Sequence, residues 1–216
     1  METTLKRYQM IAALVFFVAL PLLAYGTDNF PRQAVYKEAL SIVTLLAFFS
    51  TVLQFFLSRA NAGTVKLFKA ARLISRHKLF GYLASSLLLL HPFTIILPRF
   101  FEAGVTPTDA LITLLTSFHS KGVLLGMVAY LLLLFLAILS LLRQRLPFSY
   151  RTWRTIHGLT SVAFLFTASF HVIILGRHSS LLMSLLIAVL ALIAISLLLR
   201  LYLINFRELK YGTTER

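Results

Sequence analysis

The sequence predicts an all-α membrane protein: a six-helix transmembrane bundle with both termini cytoplasmic, forming a single domain over residues 1–216. Three observations predict it. Hydrophobic residues make up 59% of the chain and charged residues only 13%, against about 25% charged in an ordinary soluble domain. The mean hydropathy is +0.86. Apolar runs recur six times with short connections, each close to the roughly 20 residues that a spanning helix needs. The same composition excludes disorder and a collagen repeat, and six spans are expected to leave no length for a separate soluble catalytic domain. The chain has no cysteine, which excludes disulfide staples, thiolate metal sites, iron–sulfur clusters and a Cys nucleophile.

The first expected span, Tyr8–Tyr25, follows Lys6 and Arg7 and ends near Ala24-Tyr25-Gly26. It resembles a signal peptide and is expected to be a retained helix. The second span is Ala39–Leu57, with Gln54 inside it and Glu38 at its entrance. From Ser58 to Lys78, apolar Val65, Phe68, Leu73 and Ile74 alternate with basic Lys66, Lys69, Arg72 and Arg76. That pattern suits either a helix lying at the membrane interface or a solvated basic loop. The third span is Leu79–Leu97, and Pro98–Thr116, with Gly104, Pro107 and Asp109, reads as an outside loop. Gly122–Leu142 is the fourth span. Arg143–Thr155 is a short basic inside loop with the chain's one tryptophan, Trp153, as an interface anchor. Ile156–Leu175 and Leu181–Leu203 complete the bundle.

A net charge of +14 invites a nucleic-acid reading, but the placement of the charges answers it. If alternate connections share a side, 16 of the 21 basic residues fall on the side of the termini, leaving Arg32, Lys37, Arg99, Lys121 and Arg177 opposite. The positive-inside rule accounts for that asymmetry and places the termini in the cytoplasm.

Ionisable side chains are costly at bilayer depth and usually functional. Four histidines in or beside the spans stand out, His77, His91, His157 and His171, with Gln54 as a neutral companion. His77 and His91 bracket the third span, and His157 and His171 bracket the fifth, both fourteen residues apart. In an α-helix that spacing is a rise of about 21 Å and a rotation about 40° short of four turns. Each pair therefore lies on nearly one face, with one imidazole near each membrane boundary. The two helices run in the same direction, so His77 comes level with His157, and His91 with His171. Facing imidazoles of this kind can bind haem iron axially or hold a divalent metal such as zinc or copper. Zinc normally takes three or four protein ligands, and no carboxylate or thiolate is at hand, so a flat macrocycle fits better. Its carboxylates would find cations in Arg72, Arg76, Lys78, Arg151 and Arg154 inside, and in Arg99, Lys121 and Arg177 outside. His119 and His178 read as plain polar residues. Gln54 reads as a helix–helix hydrogen bond. His91-Pro92-Phe93-Thr94 matches a flavin-contacting tetrapeptide of soluble reductases by chance, since it ends an apolar span.

Arg76-His77-Lys78-Leu79-Phe80-Gly81-Tyr82, running on to His91, resembles the third helix of the ferric reductase-like transmembrane domain. Trp153-Arg154-Thr155-Ile156-His157-Gly158-Leu159, running on to His171, resembles its fifth. The family includes NADPH oxidases, ferric-chelate reductases and the haem subunit of bacterial methionine-sulfoxide reductase systems. The resemblance covers about Tyr8 to Leu203 and implies two b-type haems, an inner one on His77 and His157 and an outer one on His91 and His171. It implies a multi-pass protein of the bacterial inner (plasma) membrane. The flavin and nicotinamide domains that follow the helices in oxidases and ferric reductases do not follow here, so the expected donor is a cytoplasmic flavoprotein or a quinol.

The leading functional expectation is transmembrane electron transfer to an external acceptor: ferric iron, oxygen or a periplasmic reductase. The protein is then the membrane subunit of an oxidoreductase. Two alternatives stand beside it. One is a cytochrome b of the ascorbate-reducible class, which spreads its four histidines over four helices. The other is a non-redox transporter or scaffold, for which no broken helix or acidic site speaks.

Overall fold

The computed structural model describes residues 2–96, 104, 106–116 and 119–211, and every regular element among them is helical. In order these are α1 (Glu2–Leu14), a π-helical turn (Val15–Ala19), α2 (Leu20–Gly26), α3 (Val35–Phe56), α4 (Ala62–Phe68) and α5 (Ala70–Ile96). They continue with α6 (Pro107–Thr116), α7 (Lys121–Leu141), α8 (Tyr150–Leu175) and α9 (Leu181–Tyr211). Among the described residues five stretches are long and apolar enough to cross a membrane: Thr3–Gly26, Val35–Phe56, Lys121–Leu141, Tyr150–Leu175 and Leu181–Leu203. The protein is an integral multi-pass membrane protein.

The sequence predicted six such spans. The remaining one, residues 79–97, falls on α5, which begins at Ala70 and carries Arg72, Arg76, His77 and Lys78 ahead of its apolar part. The end of this stretch, from residue 97 on, lies outside the described residues. Two expected loops also contain helix. The outside loop holds α6, where Pro107 opens the helix and Thr106 caps it: the Asp109 amide donates to Thr106 Oγ1 at 3.1 Å, and that hydroxyl donates to the Asp109 carboxylate at 2.6 Å. This is a side-chain N-cap with proline at the first helical position. The basic inside loop ends at Ser149, whose hydroxyl accepts from the Thr152 amide at 3.1 Å and starts α8 ahead of Trp153. In the Ser58–Lys78 connection, Asn61 caps α4, and Lys69, at φ 59°, turns the chain into α5.

The closest helix pairs are α7 with α8 and α3 with α5; α9 packs on α3 and α8, and α7 touches α5. A shared core forms from Phe49 and Val52 of α3, Leu133 of α7, Leu165 of α8, and Met183 and Ile187 of α9. Leu131, Leu141, Leu181 and Leu192 point outward and exposed, as they do where lipid surrounds the bundle. Lipid tails give helices little hydrophobic reason to associate, so close approach depends on small residues. Gly122, Ala168 and Ala194 are buried between helices accordingly.

Candidate functional site

The four histidines sit on α5 and α8, and the rings of His77, His157 and His171 are held by groups of the flanking helices α3 and α7. His77 Nδ1 lies 3.2 Å from the Gln54 carbonyl oxygen. A carbonyl can only accept, so Nδ1 carries the hydrogen and Nε2 keeps its lone pair. Across the bundle, His157 Nδ1 is 3.4 Å from Ser140 Oγ of α7. His157 and His77 are electrostatic neighbours. One turn earlier on α8, Trp153 stacks on the His157 ring with centroids 5.0 Å apart, and its Nε1–H donates to the Leu139 carbonyl at 2.9 Å. The Tyr202 hydroxyl of α9 donates to the Arg154 carbonyl at 3.0 Å. Gly158 permits this, since a Cβ there would collide with that hydroxyl.

At the opposite end, His171 Nδ1 donates to the Gly122 carbonyl at 2.8 Å, so its Nε2 also keeps the lone pair. The reason this fits is a Gly-x-x-x-Gly stripe on α7. Gly122 receives Leu175 and Ile174, and Gly126 receives the flat face of His171 itself. His91 and His171 are electrostatic neighbours. His91 Nδ1 is buried without a hydrogen-bond partner among the described residues.

Residues 43–168 match the family described as ferric reductase like transmembrane component. The chain belongs to that family. The match includes α5 and most of α8, and ends just before His171. An uncharacterized protein from Archaeoglobus fulgidus is 40% identical to the chain over 148 residues, which is 68% of this chain and 80% of the relative. No solved structure matches.

Among the described residues of this ferric reductase-like protein, no three or more His, Cys, Asp or Glu side chains are grouped to hold a metal ion. Each histidine pair offers two nitrogens. Of the cations named from the sequence, Arg72 and Arg76 are exposed on the first turns of α5. Arg154 is partly buried, and its Nε has no partner among the described residues. Arg177 is not a free cation: it pairs with Glu38. Arg99 lies outside the described residues. Gln54 does not bridge helices through its side chain, which donates to Ser50 of its own helix at 3.2 Å; its backbone carbonyl makes the interhelical contact.

A polar cluster that the sequence reading missed joins the α2–α3 connection to the α8–α9 connection. Asp28 has a fully buried side chain and accepts from His178 Nδ1. Arg177 Nε–H donates to His178 Nε2 at 3.1 Å, so His178 is neutral with its hydrogen on Nδ1. Glu38 accepts from Tyr25, Arg177 and Arg32, and Arg32 Nη2 reaches Asp28 at 3.4 Å. The Tyr25 and His178 rings pack with centroids 4.0 Å apart and planes tilted by 39°. The signal was available in principle, since two acids, two arginines and a histidine fall in connections on the same side of the expected topology.

Proposed function

We propose that this ferric reductase-like protein passes electrons across the membrane through two b-type haems, one held by His77 and His157 and one by His91 and His171. The observation that carries the reading is the orientation of the rings. Carbonyl acceptors hold Nδ1 of His77 and His171, leaving Nε2 as the ligating atom, the arrangement that tunes histidine ligands in metal centres. The residues fit the group in two further ways. Helices α5 and α8 carry all four imidazoles but are not one of the closely packed pairs, as a flat macrocycle between them requires. Arg154 offers a buried, unpartnered N–H for a carboxylate.

Bound haem iron supplies one-electron exchange between ferric and ferrous states. The chain supplies the rest. His77, His157, His91 and His171 hold the two irons, and apolar Phe and Leu side chains exclude water. Arg154, with Arg72 and Arg76, balances charge at the inner end, and Arg99 does so at the outer end, where Arg177 is already paired with Glu38. The end that carries Arg59–Lys78 and Arg143–Arg154 faces the cytoplasm by the positive-inside rule. There a flavoprotein or quinol gives electrons, and an external acceptor takes them on the other side of a bacterial plasma membrane.

The test is a haem-to-protein ratio with a dithionite-reduced minus oxidised spectrum. Two haems per chain with b-type bands are expected. Protein that stays colourless after expression with ample haem overturns the reading.

A further inference from the structure

We propose that Tyr150, Trp153 and His157 form the path by which electrons reach the inner pair, with Tyr150 and Arg143 as the landing surface for a reduced flavin. The inference rests on the haem reading above and adds where a donor docks.

The three rings occupy successive turns along one stripe of α8, at the i, i+3 and i+7 positions. Tyr150 and Trp153 stack with centroids 6.0 Å apart and planes 19° apart. Trp153 and His157 stack at 5.0 Å and 20°. The ladder is graded in exposure: Tyr150 is 45% exposed, while Trp153 and His157 are partly buried. It therefore runs from the surface to a histidine of the inner pair without a gap.

A tryptophan that only anchors a membrane boundary turns its N–H toward headgroups and water. Trp153 does the opposite. Its Nε1–H donates inward to the Leu139 carbonyl, and its ring is stacked on both Tyr150 and His157. Arg143 adds the second half of the argument. Its guanidinium lies 4.8 Å from the Tyr150 ring centre and 4.9 Å from that of Trp153. Such a cation–π clamp orders the outer rings. It also leaves a positive charge at the exposed end, where a flat, anionic aromatic donor such as a reduced flavin nucleotide would meet both a ring and a cation.

The step is a single-electron transfer. One electron would leave the reduced flavin, which keeps its second electron for a later transfer, and a haem held by His77 and His157 would supply the one-electron acceptor. The rings are not themselves oxidised; they provide continuous π contact. Trp153 is a positioning residue in this scheme, acting through His157.

The test uses the full haem-loaded chain and reduced flavin mononucleotide as the donor in stopped flow. Trp153→Leu removes the ring and should slow reduction of the inner haem at least about fivefold, whereas Trp153→Phe keeps a ring and should stay within about twofold. Trp153→Phe also removes the Leu139 hydrogen bond. A Phe variant as slow as the Leu variant would assign the effect to that bond and overturn the path. So would a Leu variant with the native rate. A second readout needs no haem. Trp153 is the one tryptophan of the chain, so oxidised flavin mononucleotide added to haem-free protein should quench its emission saturably, and Arg143→Gln should weaken that quenching. Absent or non-saturable quenching removes the landing surface, and this measurement decides if Trp153→Leu fails to retain haem. A protein that quenches but binds no haem would sink the haem reading and leave the flavin surface standing.

Discussion

A methyl group on Gly126 would lie 2.6 Å from both Nδ1 and Cε1 of His171. The ring cannot retreat from it without losing the 2.8 Å bond to the Gly122 carbonyl. Gly81 is a control on the partner helix, because a Cβ there would rest 3.6 Å from Gln54 Oε1, at ordinary contact distance. By helix propensity alone, either Gly→Ala change stabilises by up to about 1 kcal/mol. Gly81→Ala should therefore hold or raise the thermal midpoint in detergent. Gly126→Ala should lower it and release the outer haem first. Equal midpoints and haem contents in the two variants would show that Gly126 does not set the His171 ring.

The two haems should be separable by mutation. His77→Ala or His157→Ala should remove the inner haem and block electrons arriving from the basic end. His91→Ala or His171→Ala should spare the inner haem and block delivery to the opposite side. Absorption and electron paramagnetic resonance spectra of the four variants read the outcome directly. Retention of both low-spin haems in all four would overturn the ligand assignment.

His91 differs from the other three histidines in having a buried Nδ1 with no partner among the described residues. A hydrogen bond to the second ring nitrogen orients a ligating histidine and raises its basicity, and losing one typically costs about 10–100-fold in metal affinity. His91 should thus be the weakest of the four ligands. Carbon monoxide added to the reduced protein is expected to displace it and alter one haem's bands, leaving the His77–His157 haem unchanged. Equal reaction at both haems, or at the inner one alone, would show that the missing bond has no such consequence.

Much of the helical plan was legible in the sequence, because lipid-facing helices are long and nearly continuous in Leu, Ile and Phe. The fourteen-residue spacing of the histidines was legible for the same reason: on a regular helix, number in sequence is position on a face. Helix starts were less so. Tyr150, Trp153 and Arg154 looked like loop residues because they are polar or amphipathic, yet Ser149 caps the helix ahead of them. Contacts between distant segments were hidden. Nothing local in Asp28 or His178 indicates that they meet across 150 positions. Backbone carbonyls, such as those of Gln54 and Gly122 that fix His77 and His171, carry no sequence signal of their own. The Gly122-x-x-x-Gly126 stripe was the available clue that one helix would press a ring against another.

His178→Ala would leave the fully buried Asp28 carboxylate without its Nδ1–H donor. A hydrogen bond to a charged group contributes about 1.5–3 kcal/mol, and because Arg32 remains 3.4 Å from Asp28 the loss should fall at the low end. His178→Asn, whose amide N–H sits close to the former Nδ1, should recover part of it. The double variant Asp28→Asn/His178→Ala should be less destabilised than the sum of the single changes, as for groups in one network. Thermal unfolding of the set checks this. Strict additivity would show that Asp28 and His178 are not coupled.

The last expectation concerns the charged end of the bundle. Because His77 and His157 are neighbours, the segments Arg59–Lys78 and Arg143–Arg154 share that end, and together they hold ten basic residues and no acidic ones. A surface of one sign steers a partner of the other and makes association fall steeply with salt. Replacing Lys66, Lys69 and Arg145 by Gln spares the aromatic ladder and the histidines while removing three of those charges. Reduction of the inner haem by an acidic flavoprotein should become slower at low salt and lose much of its salt dependence, with the haem spectrum unchanged. The same charges also suit anionic lipid at a cytoplasmic surface. If the variant is reduced at the original rate with the original salt dependence, they serve topology and lipid, and the donor delivers its electrons elsewhere on the protein.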